Sequence, residues 1–158
     1  MKGIKKVKVS TRRIVYEFEL KRRITILSGD SATGKSTLID LIDDAVKSNN
    51  KTTRLECDCK CKVLSHSDWE LILRNTHETI VFIEEDFEPL KSDLFAEIVK
   101  NSSNYYVIAL RDSIPSLAYS YKDIYEVHTS GKYHILRPRY NIKDRKADAG
   151  TIVMEDLN

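Results

Sequence analysis

The stretch from Ile24 to Ile42, ITILSGDSATGKSTLIDLI, constrains this chain more than any other. Within it, Gly29-Asp30-Ser31-Ala32-Thr33-Gly34-Lys35-Ser36 fits the spacing G-x-x-x-x-G-K-[ST]. Gly29 and Gly34 let the backbone bend where a side chain would clash. The amides from Ser31 to Ser36 can then turn inward as an anion nest. The helix that follows aims its N-terminal partial charge at the same point. Lys35 adds a full charge suited to β- and γ-phosphates, Ser36 offers a hydroxyl to Mg²⁺, and Thr37 is placed for an α-phosphate. Asp30 is expected to point outward, away from the phosphates. A turn holding a surface lysine would explain neither the paired glycines nor the Ser36-Thr37 pair behind them.

Periodicity places this loop between a strand and a helix. Residues 24–28 form a short buried-type strand, and residues 35–47 carry Leu38, Leu41, Ile42 and Ala45 at helical spacing. Before the loop, residues 4–10 and 13–20 alternate as a strand pair turning near Ser10–Arg12. After it, residues 48–53 read as loop and residues 54–64 as one alternating strand. Residues 67–76 form a helix opened by Ser67 and Glu70 as a capping box. Residues 79–83 are a buried strand, 90–101 a helix, 104–110 a second buried strand and 115–121 a short helix. Residues 123–137 form a hairpin turning at Ser130–Gly131. The order predicts an α/β chain with a mainly parallel sheet covered on both faces, antiparallel N-terminal strands and a C-terminal hairpin. Residues 1–140 are expected to make one nucleotide-binding domain, and 141–158 a polar tail.

The buried strand 79–83 runs into Glu84-Glu85-Asp86. A parallel sheet presents functional groups at the carboxyl ends of its strands. Glu84 is assigned to the metal side and Glu85 to the attacking water, with Asp86 in reserve for either; an acidic helix start is the bland alternative. The neighbouring strand ends in Arg111-Asp112-Ser113, where Arg111 could meet a phosphate or pair with Glu85.

Composition narrows the rest. With 158 residues, 41% hydrophobic and 32% charged, the chain can bury a core, and no apolar run suits a membrane helix. The net charge of +2 demands no nucleic-acid partner, although the N-terminal residues and 137–146 are basic. Cys57, Cys59 and Cys61 are odd in number and closely spaced, which suits a reducing, cytoplasmic setting better than a disulfide framework. Their C-x-C-x-C spacing does not suit structural zinc, and alternation puts all three on one strand face with Val63. Tyr119, Tyr121, Tyr125, Tyr133 and Tyr140, among Lys122, Lys132, Arg137 and Arg139, could stack bases or simply pack.

At these residues the sequence resembles the ABC-type ATPases and their SMC/RecF-like relatives. GDSATGKSTL looks like the group's G-x-S-[GA]-x-G-K-S-T-L, and IVFIEED looks like its apolar strand ending in Asp-Glu, with Glu84 in place of the aspartate. The segment from Val107 to Leu136 resembles the closing pattern, in which Asp112, Asp123, Ile124, Tyr125 and Gly131 match. Arg111 stands where the group has a switch histidine. The helical arm with L-S-G-G-Q is missing, and no Q-loop is recognisable. The resemblance implies a three-layer P-loop NTPase fold, with ATP and Mg²⁺ as cofactors and Tyr16 of the N-terminal hairpin stacking on adenine. It implies a minimal Mg-dependent ATPase, a nucleotide-driven switch or motor part acting on a protein partner or a second copy, with nucleic acid not required. The rival readings are a small-molecule kinase and a non-catalytic nucleotide-binding module. A GTPase is disfavoured because neither D-x-x-G nor N-K-x-D follows the carboxylate strand.

Overall fold

The computed structural model describes residues 1, 3–29, 34–47 and 52–140. Among the described residues, nine strands belong to one mixed sheet: β1 (Lys5–Ser10), β2 (Val15–Leu20), β3 (Ile24–Leu27), β4 (Arg54–Cys57), β5 (Lys60–Val63), β6 (Thr79–Ile83), β7 (Tyr105–Ala109), β8 (Ile124–Ser130) and β9 (Tyr133–Pro138). The described α-helices are α1 (Lys35–Val46), α2 (Trp69–Arg74) and α3 (Asp93–Lys100). The spatial order is β4-β1-β2-β9-β8-β3-β7-β6-β5. Its two outermost strands, β4 and β5, are consecutive in the chain and joined only by Asp58 and Cys59. The sheet therefore curls until its edges meet, almost closing into a barrel.

This overturns the expected three-layer α/β P-loop fold, and the resemblance to ABC-type ATPases falls with it. The physical reason lies in the burial patterns. Of the described strands, only β3, β6 and β7 are buried along their whole length. The other strands alternate or are half-buried, with one side toward solvent. Strands of that kind belong to a curved mixed sheet with one wet face. Antiparallel pairing joins β1 to β2, β1 to β4 and β8 to β9, while β2–β9, β3–β7, β3–β8, β5–β6 and β6–β7 run parallel. The N-terminal strands and the C-terminal hairpin thus extend the sheet and bend it.

One core lies on the concave side. Leu38, Ile39 and Ile42 of α1 pack there against Val7, Val9, Tyr16, Phe18, Leu27, Phe82 and Val107. The second core covers the other face of β3, β6 and β7 with Leu73 of α2 and Phe95, Ile98 and Val99 of α3. Trp69, Phe87, Phe95 and Tyr106 meet there in edge-on and tilted contacts. Among the described residues no helix is long and apolar enough to cross a membrane.

Smaller corrections follow from hydrogen bonding. The segment expected as one strand over 54–64 bends at Asp58–Cys59, pairs with β1 before the bend and with β6 after it. Asp58 fixes the bend: its carboxylate accepts from the Lys6 amide at 2.8 Å. The helix expected over 67–76 starts at Trp69 with Asp68 at its N-cap and no side-chain cap, so Ser67 and Glu70 form no capping box. The helix expected over 90–101 is a 3-10 turn (Glu88–Lys91) followed by α3, which Ser92 caps by accepting from the Phe95 amide. In place of a helix over 115–121 there is a turn, then a 3-10 segment at Tyr121–Asp123 with a Ser120–Asp123 capping box. The tail 141–158 lies outside the described residues.

Candidate phosphate-binding site

β3 delivers the chain to Ser28 and Gly29 at its carboxyl end, and Gly34 opens α1. Residues Asp30, Ser31, Ala32 and Thr33 lie outside the described residues. The two flanks are well defined. Gly34 sits at φ +93°, and a β-carbon there would meet the Tyr16 hydroxyl at 2.8 Å. Glycine is needed both for the left-handed backbone and for the close approach. The Tyr16 hydroxyl donates to the Gly34 carbonyl at 2.9 Å. The same carbonyl receives the first helical bond, from the Leu38 amide.

Lys35 is buried, and its ammonium donates to the Gly29 carbonyl across the loop. Ser36 and Thr37 stand exposed on the first turn of α1. The Ser36 hydroxyl donates to Glu84 Oε2 at 3.3 Å. That contact joins the start of α1 to the end of β6. Burial pushes the Glu84 carboxyl above its ordinary range, and nearby Asp40 and Asp86 push it the same way, against the Ser36 hydroxyl and the Lys35 charge. Asp40 is four residues after Ser36 on α1, a spacing that places both on one helix face.

Glu85 lies beside Arg111: the guanidinium Nε is 3.6 Å from Oε2, with both side chains substantially exposed. Of the two partners the sequence offered Arg111, the carboxylate is the one observed. Asp86 is exposed and faces a cleft of about 570 Å³ that Asp40, Asp43, His66, Trp69 and Glu84 also line. A larger groove, about 800 Å³, lies among the strand-face charges Lys6, Lys8, Glu17, Glu19 and Glu56 and includes none of these loop residues.

Tyr16 is placed differently from the adenine platform the resemblance implied. Its ring is 1% exposed, lies on the concave core and is stacked on His134 at 4.4 Å and 14°. Burial raises its hydroxyl pKa to about 12. Tyr16 holds the loop's far flank, and His134 covers it. Two features went unseen in the sequence. Arg139 donates to the Ser28 hydroxyl at the root of the loop, from 111 positions away, and no local signal marks it. Asp40 could have been found from its spacing to Ser36.

Among the described residues no group of three or more His, Cys, Asp or Glu side chains is arranged to hold a metal ion. Mg²⁺ typically takes only one or two protein ligands beside phosphate and water. The Ser36 hydroxyl and the Glu84 carboxylate, with Asp40 and Asp86 nearby, fit that role. No family model and no curated protein matches the chain.

Proposed function

We propose that the segment between β3 and α1 binds the phosphates of a nucleoside triphosphate, ATP in the first instance, and that the chain works as a nucleotide-dependent switch with slow hydrolysis. One observation carries this reading: Lys35 spans the loop to Gly29, while Ser36 reaches Glu84 at the end of β6. Lysine, helix N-terminus and a hydroxyl–carboxylate pair then converge on one point. Lys35 would release the Gly29 carbonyl for phosphate oxygens, and α1 would aim its N-terminal amides at them. Ser36 and Glu84 would hold Mg²⁺, which supplies charge neutralisation to the phosphates. Glu85 would orient the attacking water.

A second reading, binding without turnover, is favoured by the Arg111–Glu85 pair, because the guanidinium competes for the carboxylate that would address water. Titration calorimetry of Mg-ATP into the wild type and Lys35→Ala tests the binding, and ADP release from the same samples separates the two readings. Binding that Lys35→Ala abolishes, with ADP release blocked by Glu85→Gln, supports the switch. Binding without release supports the second reading. A wild type that binds neither ATP nor GTP overturns both.

A further inference from the structure

Two cations are held on consecutive residues where β3 ends. The Lys35 ammonium donates to the Gly29 carbonyl, and the Arg139 guanidinium donates to the Ser28 hydroxyl. β8 sets the second contact. The Ser28 amide donates to the Tyr125 carbonyl at 2.8 Å, and the Arg139 amide donates to the carbonyl of the preceding residue, Ile124, at 3.0 Å. Two consecutive residues of β8 therefore hold the end of β3 and the residue that follows β9 side by side. The guanidinium also lies over the Tyr140 ring, 5.8 Å from its centroid.

The pairing is chemically lopsided. Ser28 is buried and its hydroxyl is neutral, whereas Arg139 is exposed and always charged. Among the described residues no carboxylate forms an ion pair with Arg139, although Arg22, Arg74 and Arg111 each have one. A guanidinium presents a planar fork of donors that suits two phosphate oxygens at once. Ser28 takes a bond from Nη1 alone, which leaves the rest of the fork for an anion. Two positive groups drawn to neighbouring residues repel each other, and an anion between them removes that cost.

We propose that, given phosphate binding between β3 and α1 as read above, Arg139 is a second cationic ligand of the nucleotide phosphates, held in place by Ser28. Lys35 approaches from the start of α1 as a point charge, and Arg139 from the end of β9 as a fork. The C-terminal hairpin is thereby part of the nucleotide site, although the phosphate-binding spacing in the sequence ends at Ser36.

Titration calorimetry of Mg-ATP into the full chain at two salt concentrations tests this, with the wild type, Lys35→Ala, Arg139→Gln, Arg139→Lys and Ser28→Ala. Arg139→Gln should weaken binding about tenfold, the worth of one charge-assisted hydrogen bond. Its affinity should also depend less on salt, because one charged contact is gone. Arg139→Lys should fall between, keeping the salt dependence and losing the fork. Ser28→Ala should lose less than Arg139→Gln and keep the wild-type salt dependence, because the guanidinium remains. A residue that only shapes the loop through Ser28 would behave otherwise: a loss in Ser28→Ala equal to that in Arg139→Gln, or a loss in Arg139→Gln with unchanged salt dependence, overturns the proposal. Wild-type affinity in Arg139→Gln, with binding still abolished by Lys35→Ala, overturns the role of Arg139 and leaves the phosphate reading standing. A wild type that does not bind Mg-ATP overturns both. Arg139 is exposed, so its substitutions should leave the urea midpoint of the ligand-free chain unchanged. Should Arg139→Gln fail to fold, wild-type affinity in Arg139→Lys overturns the forked contact.

Discussion

The Tyr16 hydroxyl donates to the Gly34 carbonyl at 2.9 Å and so ties the start of β2 to the N-cap of α1, 18 positions away. The tie fixes where α1 begins relative to the concave wall. Gly34 is at φ +93° and its missing β-carbon is what lets the tyrosine approach. Alanine there would adopt a left-handed backbone, at a cost of about 1–2 kcal/mol. Its methyl would also press on a hydroxyl that cannot withdraw, because the ring is buried and stacked on His134. Gly34→Ala should therefore destabilise the chain in urea and weaken nucleotide binding. Tyr16→Phe alone should cost about 1 kcal/mol, the net worth of one hydrogen bond. Combined, the two changes should be less damaging than their sum, since phenylalanine removes the clashing atom. Strict additivity would show that the contact does not shape the loop.

The same tyrosine sets an alkaline limit. Burial raises the folded pKa of Tyr16 to about 12, from an ordinary value of 10.0. A raised acid stays protonated in the folded chain while the unfolded chain ionises, so stability is full below pH 10 and is lost as pH rises toward 12. Tyr106 is shifted the same way, by its own burial. Denaturation midpoints across that window should fall with pH in the wild type and fall less steeply in Tyr16→Phe. Identical slopes would place the alkaline loss elsewhere.

Much of the secondary structure was legible, because its signals are local. Alternation marks β2 as Tyr16, Phe18 and Leu20 inward, and the continuous apolar runs of β6 and β7 mark strands buried on both faces. The architecture was not legible, because it depends on which edges meet. The segment 54–64 reads as one strand by alternation, and nothing local says that its halves serve opposite ends of the sheet. The Asp58 carboxylate on the Lys6 amide decides that, 52 positions apart. At the site, the spacing of Gly29, Gly34, Lys35 and Ser36 was visible, whereas the burial of Tyr16 and the reach of Arg139 to Ser28 arise from packing.

Glu84 carries an apparent conflict between stability and use. Its folded pKa is raised, chiefly by burial, so ionising it is harder in the folded chain than in the unfolded one. Stability from this group is full below the ordinary carboxylate range and falls as pH rises through the raised folded value. Glu84→Gln should therefore raise the melting temperature of the ligand-free chain at neutral pH, keep the contact with Ser36 and lose the Mg²⁺ requirement for nucleotide binding. Asp40→Asn should raise it in the same direction and by less, since Asp40 acts on Glu84 only as a neighbouring charge. A melting temperature that falls in Glu84→Gln would show that the carboxylate is held for stability and would count against the metal role.

Asn104 gives the strongest test of the fold itself. It is 1% exposed and joins three segments. Its Oδ1 accepts from the Thr79 amide at 3.1 Å, at the start of β6. Its Nδ2 donates to the Thr76 carbonyl at 2.9 Å and to the Tyr106 hydroxyl at 3.3 Å. Alanine would strand a buried amide and a buried carbonyl, each costing about 1–3 kcal/mol when left without a partner. Asn104→Asp keeps the acceptor for Thr79 but loses both donors and adds a buried charge, so it should be at least as damaging at neutral pH. It should recover as pH falls and the carboxyl is protonated, because the acid form regains one donor. Urea midpoints for the two variants at pH 7 and pH 5 check this. A recovery seen equally in Asn104→Ala would trace it to some other group.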